Sequence, residues 1–321
     1  MDILLIALRA AAEQTRLRLL ALAACGQFCV MEFAEILGQS QPRLSRHLRL
    51  LDEAGLLERA REGANTWFTL PSIATPGGGL ARMVLARIPE DDPLLVADRR
   101  QAARVLAERA RIASETFQRA GADWDEMRAL NLSAEEVTRA LLDVLPERIG
   151  HLLDIGTGTG ALLERVASRV EAAIGIDASR SMLALARTRL AKPWLGHCAV
   201  RLGDMYRLPL PDAAFDVVVM QMVLHYAEDL DGALAEARRV LKQGGRLVIV
   251  DLAKHYDEAS FHRLAHRWSG FTDTVMIHLL ARMGLSIHRA ETVLGPLDVR
   301  IWIIGHGDMP PPADLVLEAT A

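Results

Sequence analysis

The chain has 321 residues, 51% of them hydrophobic and 24% charged, a folded-globular composition long enough for two domains. Its formal net charge of −4 excludes a uniformly basic, nucleic-acid-coating surface but leaves room for one basic module. Three cysteines (Cys25, Cys29, Cys198) cannot build a disulfide framework, and no apolar run reaches the ~20 residues of a bilayer span, so a cytoplasmic protein without a membrane partner is expected.

Residues 1–73 open with helical patterns separated by short turns, from Ile6 to Leu57. Arg9, Glu13, Arg16 and Arg18 interrupt the start, which argues against a leader segment. Ser40 is placed to cap a helix that begins Gln41-Pro42, since proline is tolerated in a first turn. On that helix Leu44, Leu48 and Leu51 make an inward stripe, and Arg43, Arg46 and Arg49 face largely away. Glu58 to Phe68 reads as two short strands around a turn containing Gly63. The sum is an α+β winged helix-turn-helix, whose second helix enters the major groove while basic groups hold phosphates. Gln41, Arg43, Ser45, Arg46, His47 and Arg49, with Arg61 on the wing, are the expected contacts to a double-stranded DNA operator. A solvated helix face in a protein-interaction winged helix is the competing account of the same arginines.

Residues 74–130 begin with the breaker Thr75-Pro76-Gly77-Gly78-Gly79 and continue as a helical linker interrupted by Pro89 and Pro93. Its run Ala97 to Arg119 predicts one long helix. Residues 131–307 alternate apolar runs with helical patterns; the runs are 151–155, 172–176, 199–202, 217–220, 246–251 and 301–304. That alternation predicts βαβ units in a mostly parallel, doubly wound α/β sheet. Residues 308–321, with Pro310-Pro311-Pro312, read as a disordered tail.

The third region is centred on Asp154-Ile155-Gly156-Thr157-Gly158-Thr159-Gly160, at the end of its first strand. Glycines there let the backbone turn tightly and approach a ligand. Gly156, Gly158 and Ala161 also satisfy a dinucleotide fingerprint, so the loop alone leaves nicotinamide and flavin cofactors open. Asp154 is placed to bind the amino group of an amino-acid moiety. Asp177, ending the next strand, is placed to accept from both hydroxyls of a ribose, and Asp204 from an adenine amino group, with Met205 against the ring.

Asp154 to Gly160, Asp177 and Asp204 together resemble the successive S-adenosylmethionine (SAM) motifs of class I methyltransferases. Phe215 to Val219 resembles the fourth strand and Leu241 to Leu247 the turn into the fifth. The resemblance implies a Rossmann-like fold, with SAM as cofactor and S-adenosylhomocysteine (SAH) as product. The expected cofactor-binding set is Asp154, Gly156, Thr157, Gly158, Gly160, Asp177, Ala178, Met182, Asp204, Met205 and Gln221.

The segment Gln221 to Tyr226 faces the methyl group in the resembled family. It lacks the Asn/Asp-Pro-Pro-aromatic signature of DNA amino methyltransferases, and Cys198 alone does not suit arsenite methylation. His225 is the best placed general base for a small hydroxyl acceptor, hence the expected catalytic residue. His262 and His266 lie one helical turn apart, but Asp257 and Glu258 give no recognised ligand spacing, so no metal is expected. Trp268, Phe271 and Met276 either lid the substrate or pack the cap.

Ser45 to Leu56 resembles the recognition helix of ArsR-type regulators, and Thr15 to Leu20 their first-helix signature. Metal-sensing members carry a Cys-Val-Cys box where this chain reads Cys29-Val30-Met31, so metal sensing through Cys25 and Cys29 is disfavoured. Ala122 to Arg128 resembles the linker of bacterial proteins that fuse an ArsR-type domain to a methyltransferase-like domain. The resemblance implies a homodimer joined through the first and middle helices. Two functions follow from it: methyl transfer to a small molecule alongside DNA binding, or SAM/SAH sensing without catalysis.

Overall fold

The computed structural model describes residues 2–120, 130, 132–255 and 266–307. The linker signature around Trp124, His262 with Asp257 and Glu258, and the proline-containing tail lie outside the described residues.

The chain divides into two compact units, and the division does not follow the sequence order. Unit 1 comprises residues 1–119, 159–167 and 180–201; unit 2 comprises 120–158, 168–179 and 202–321. The N-terminal module of unit 1 contains α1 (Asp2–Ala11), α2 (Gln14–Cys25), β1 (Phe28–Cys29), α3 (Val30–Leu37) and α4 (Gln41–Glu53). It continues with β2 (Glu58–Glu62), β3 (Asn65–Thr69), α5 (Pro76–Leu85) and α6 (Pro93–Ala120). Glu13 caps α2 by accepting from the Arg16 N–H at 2.9 Å. Gly38 ends α3 in the left-handed region at φ 65°, and Ser40 is the N-cap of α4, although its side chain makes no capping bond. The inward stripe Leu44, Leu48 and Leu51 is fully buried, in one core with Leu19, Phe28 and Phe33. β3 lies between β1 and β2 with antiparallel neighbours, and Gly63 turns the hairpin at φ 62°. This is the winged helix-turn-helix.

The remaining elements are α7 (Ala134–Val144), β4 (Ile149–Ile155), α8 (Ala161–Val166), β5 (Val170–Asp177), α9 (Arg180–Leu190), β6 (Cys198–Leu202) and β7 (Phe215–Gln221). After them come α10 (Leu230–Val240), β8 (Leu241–Leu252), α11 (Asp273–Ala281), β9 (Leu285–Val293) and β10 (Val299–His306). The seven-stranded sheet has the order β6-β5-β4-β7-β8-β10-β9, with β4 parallel to β5 and β7, and β7 parallel to β8. β10 runs antiparallel to both its neighbours. The strand order reverses at β4, so the carboxyl ends of β4, β5 and β7 border the crevice where ligands of open α/β sheets bind.

Six strands coincide with the apolar runs of the sequence; β9 is an addition. It is an edge strand with a largely exposed face carrying His288 and Arg289, which hides its apolar signal. Phe271 and Met276 belong to the main core of unit 2, so packing rather than a substrate lid accounts for them, whereas Trp268 is 39% exposed. No helix among the described residues is long and apolar enough to cross a membrane.

Candidate functional site

The glycine loop leaves β4 at Ile155. Gly156, at φ 77°, occupies the left-handed region, and a Cβ there would lie 2.5 Å from Val223 Cγ2. Glycine is therefore required on two counts. The Gly156 and Thr157 N–H groups donate to the Ile176 carbonyl at 2.8 and 3.0 Å, which ties the loop to the end of β5. Gly175 completes the tie, because a side chain there would strike Thr157.

Asp177 is half-buried at the end of β5. One oxygen accepts from the Gly158 N–H at 2.8 Å and the other from the Ser179 N–H at 2.7 Å. Asp154 is 2% exposed inside β4, and burial pushes its carboxyl up to about 7. The Asp177 charge adds to that shift and the Thr157 hydroxyl opposes it. Burial also raises Asp177. Two carboxyls at adjacent strand ends, one of them deeply buried, are costly without a ligand to share.

Asp204 is exposed just beyond β6, its Oδ1 accepting from the Tyr206 N–H at 3.0 Å, and Met205 packs against the core of unit 2. The Gly203 N–H donates to the Asp177 carbonyl at 3.1 Å, so these two strand ends meet. Gln221 ends β7, half-buried, and Ala178 is exposed after Asp177. Unit 2 thus gathers Asp154, Gly156, Thr157, Gly158, Asp177, Ala178, Asp204, Met205 and Gln221, whereas Gly160 and Met182 fall in unit 1.

His225 lies on a short 3-10 turn, Leu224–Tyr226, after β7 and is fully buried. Its Nδ1 is 2.7 Å from Oδ1 of Asp251, which is equally buried at the end of β8. The other Asp251 oxygen accepts from the Leu224 N–H at 3.0 Å and the His225 N–H at 3.3 Å. A carboxylate so placed fixes the imidazole orientation and holds a proton on Nδ1, leaving Nε2 as the basic nitrogen. His266 and Tyr226 flank the ring at 4.4 and 4.3 Å between centroids. In the sequence Asp251 closes the apolar run 246–251, and nothing in that run marks it as a partner of His225. An acid ending a buried strand was the available signal of a site residue.

On α4, Gln41, Arg43, Ser45, Arg46 and Arg49 are exposed, as is Arg61 on the wing. His47 differs: it is half-buried with Nδ1 3.6 Å from Glu13, and burial lowers its pKa. Cys29 is buried and Cys25 half-buried, both free, and burial raises both thiols. Among the described residues no three His, Cys, Asp or Glu side chains are grouped to hold a metal ion.

A glycine loop at the reversal point of this sheet, with acids at the neighbouring strand ends, defines a class I methyltransferase domain. The three-stranded wing on its helices defines a winged helix-turn-helix. Residues 153–249 match the family model described as a methyltransferase domain, and residues 13–59 match that of the bacterial regulatory proteins of the arsR family. The chain therefore carries both a methyltransferase domain and an arsR-family regulatory domain. It is 38% identical over 147 residues to an uncharacterized 37.1 kDa protein in transposon TN4556 of Streptomyces fradiae, covering 44% of this chain and 42% of that one. It is 39% identical over 118 residues to a demethylmenaquinone methyltransferase of Tropheryma whipplei, covering 36% and 48%. It is 33% identical over 156 residues to a malonyl-[acyl-carrier protein] O-methyltransferase of Serratia marcescens, covering 48% and 56%. The chain thus spans about half the length of the curated relatives it matches.

Proposed function

We propose that this chain is a DNA-binding regulator whose methyltransferase domain transfers a methyl group from SAM to a small-molecule acceptor. The carrying observation is the buried His225–Asp251 pair, because the turn that holds it is packed on the cofactor loop. Val223, two residues before His225, is the side chain that fills the space at Gly156. In-line transfer from a sulfonium needs alignment, exclusion of water and, for an acceptor that must lose a proton, a base. His225 Nε2 supplies the base, Asp251 stabilises the imidazolium that forms, and burial keeps water out. The curated relatives include enzymes named for a quinone precursor and an acyl-carrier acceptor, in keeping with an acceptor other than DNA. The test is transfer of labelled methyl from SAM into small molecules of a source-organism extract. No transfer, together with DNA binding that responds to SAM or SAH, would leave sensing without catalysis as the function.

For the cofactor, Asp177 holds the ribose hydroxyls, Asp204 and Met205 the adenine, and Asp154 the amino group, with Gly156, Thr157, Gly158, Gly160, Ala178, Met182 and Gln221 around them. Asp154 gives this assignment a pH signature. Its carboxyl, raised to about 7 by burial, carries a proton below that pH in the ligand-free protein. The ammonium of SAM requires the carboxylate. Affinity is therefore expected to rise with pH, about tenfold per unit at the steepest below pH 7, and to level off above it. Calorimetry between pH 5.5 and 8 checks this, and Asp154→Asn is expected to flatten the profile.

The exposed arginines of α4 and Arg61 hold a double-stranded operator, with Gln41 and Ser45 beside them; His47, turned towards Glu13, stays at the margin. Arg46→Ala is expected to weaken DNA binding and, if its contact is to phosphate, to lower the slope of log affinity against log salt by about one. Titration of a selected duplex at several salt concentrations measures both. Residues 1–73, 74–130 and 131–307 serve as DNA-binding, dimerisation and methyltransferase regions. A second copy of the chain covers α1, whose Leu4, Leu5, Ile6 and Leu8 stand 41–54% exposed. The free cysteines suit a cytoplasmic setting.

A further inference from the structure

Within unit 1 the winged helix packs on α9, the helix that follows Asp177. Glu62, the last residue of β2 at the base of the wing, pairs with the Arg187 guanidinium of α9. The two residues are 6% and 3% exposed. Arg187 lies over the Trp67 ring of β3 at 3.8 Å from its centroid. Arg109 of α6 stands 5.0 Å from the same centroid and pairs with Glu32 of α3 at 2.6 Å. A buried ion pair contributes little net stability against an apolar pair of similar size, but breaking it is costly, so it holds its elements in one arrangement. The wing tip joins in, because a Cβ on Gly63 would meet the Arg180 guanidinium at 2.6 Å.

The same helix is tied to the cofactor loop. Ala186, beside Arg187 on α9, packs on Gly160, the last glycine of the loop, where a Cβ would stand 3.2 Å from the Ala186 methyl. At the start of α9, Asp177 accepts from the N–H of Ser179, the residue before Arg180. A ribose on Asp177 would share the carboxylate oxygens with this anchor and with the Gly158 N–H bond, so the ligand and the start of α9 meet on one side chain.

We infer that α9 is a mechanical link by which occupancy of the SAM site sets the position of the wing, so that cofactor or product binding changes DNA affinity through the Glu62–Arg187 pair. This rests on the assignment of the glycine loop and Asp177 to SAM. It makes ligand-responsive DNA binding a function of the chain in addition to transfer. Linkage requires DNA to change ligand affinity by the same factor as ligand changes DNA affinity.

The test uses the full chain and a fluorescent duplex selected by it from a random library, titrated with and without saturating SAM or SAH. At least one of the two ligands is expected to change DNA affinity about fivefold or more, with the reciprocal change in calorimetry. The double variant Glu62→Met with Arg187→Met removes both charges and leaves none unpaired. It is expected to bind ligand and duplex individually while the coupling factor falls towards one. Trp67→Phe, which loosens the stacking alone, is the second variant should the double variant fail to fold, and is expected to at least halve the coupling. Wild-type coupling of one, or coupling undiminished in the variant that folds, would overturn the inference. Absence of SAM and SAH binding to the wild type would instead remove the cofactor assignment, and this link with it.

Discussion

Asp177→Asn is expected to weaken SAM binding about a hundredfold, close to 3 kcal/mol, as measured by calorimetry. The carboxylate stands at the end of β5 already holding two backbone N–H groups. It has further lone pairs for a pair of ribose hydroxyls, and two charge-assisted bonds at about 1.5 kcal/mol or more each account for the loss. Asparagine keeps one acceptor oxygen and replaces the other with a donor, so the loop ties to Gly158 and Ser179 suffer as well. Thermal unfolding of the ligand-free variant separates these contributions, since loss of the ties alone lowers stability without ligand. Unchanged affinity would refute the assignment. A control titration with a nicotinamide dinucleotide is expected to show no binding, which addresses the ambiguity of the glycine pattern.

The second large effect concerns turnover. His225→Ala is expected to lower methyl transfer by about 10²–10⁴ while leaving SAM affinity within about twofold, the signature of a general base that does not hold the cofactor. Asp251→Asn is expected to reproduce much of that loss, because an amide can donate to Nδ1 and leave the proton on Nε2. Its wild-type partners include the Leu224 and His225 N–H groups, so circular dichroism of the ligand-free protein must accompany the rate. The diagnostic readout is the pH profile: the rising limb that reports the imidazole is expected to move or vanish in Asp251→Asn. An unaltered rate in both variants would remove the base from the mechanism and leave positioning as the source of catalysis.

Much of this was open to reading along the chain. Leu44, Leu48 and Leu51 at helical spacing, with arginines between them, announced α4 and its exposed basic side, since the period of an amphipathic helix is set by local geometry. The glycine loop and the acids at Asp154, Asp177 and Asp204 were equally plain, because strand ends and tight turns demand particular residues at particular positions. β9 was not, because an edge strand buries one face and its apolar residues are interrupted by His288, Arg289 and Glu291.

Local patterning thus determined the element types, the reversal-point loop and the exposed basic helix, all of which depend on neighbours within a few residues. Tertiary structure alone decided the partnerships between distant residues. Asp251 meets His225 because β7 and β8 are parallel neighbours whose ends come to one edge. Arg187 meets Glu62, 125 positions away, because the wing packs on α9 within one compact unit. Charges and hydrogen-bonding groups bury only when the fold brings each its complement, and no one-dimensional period records that condition.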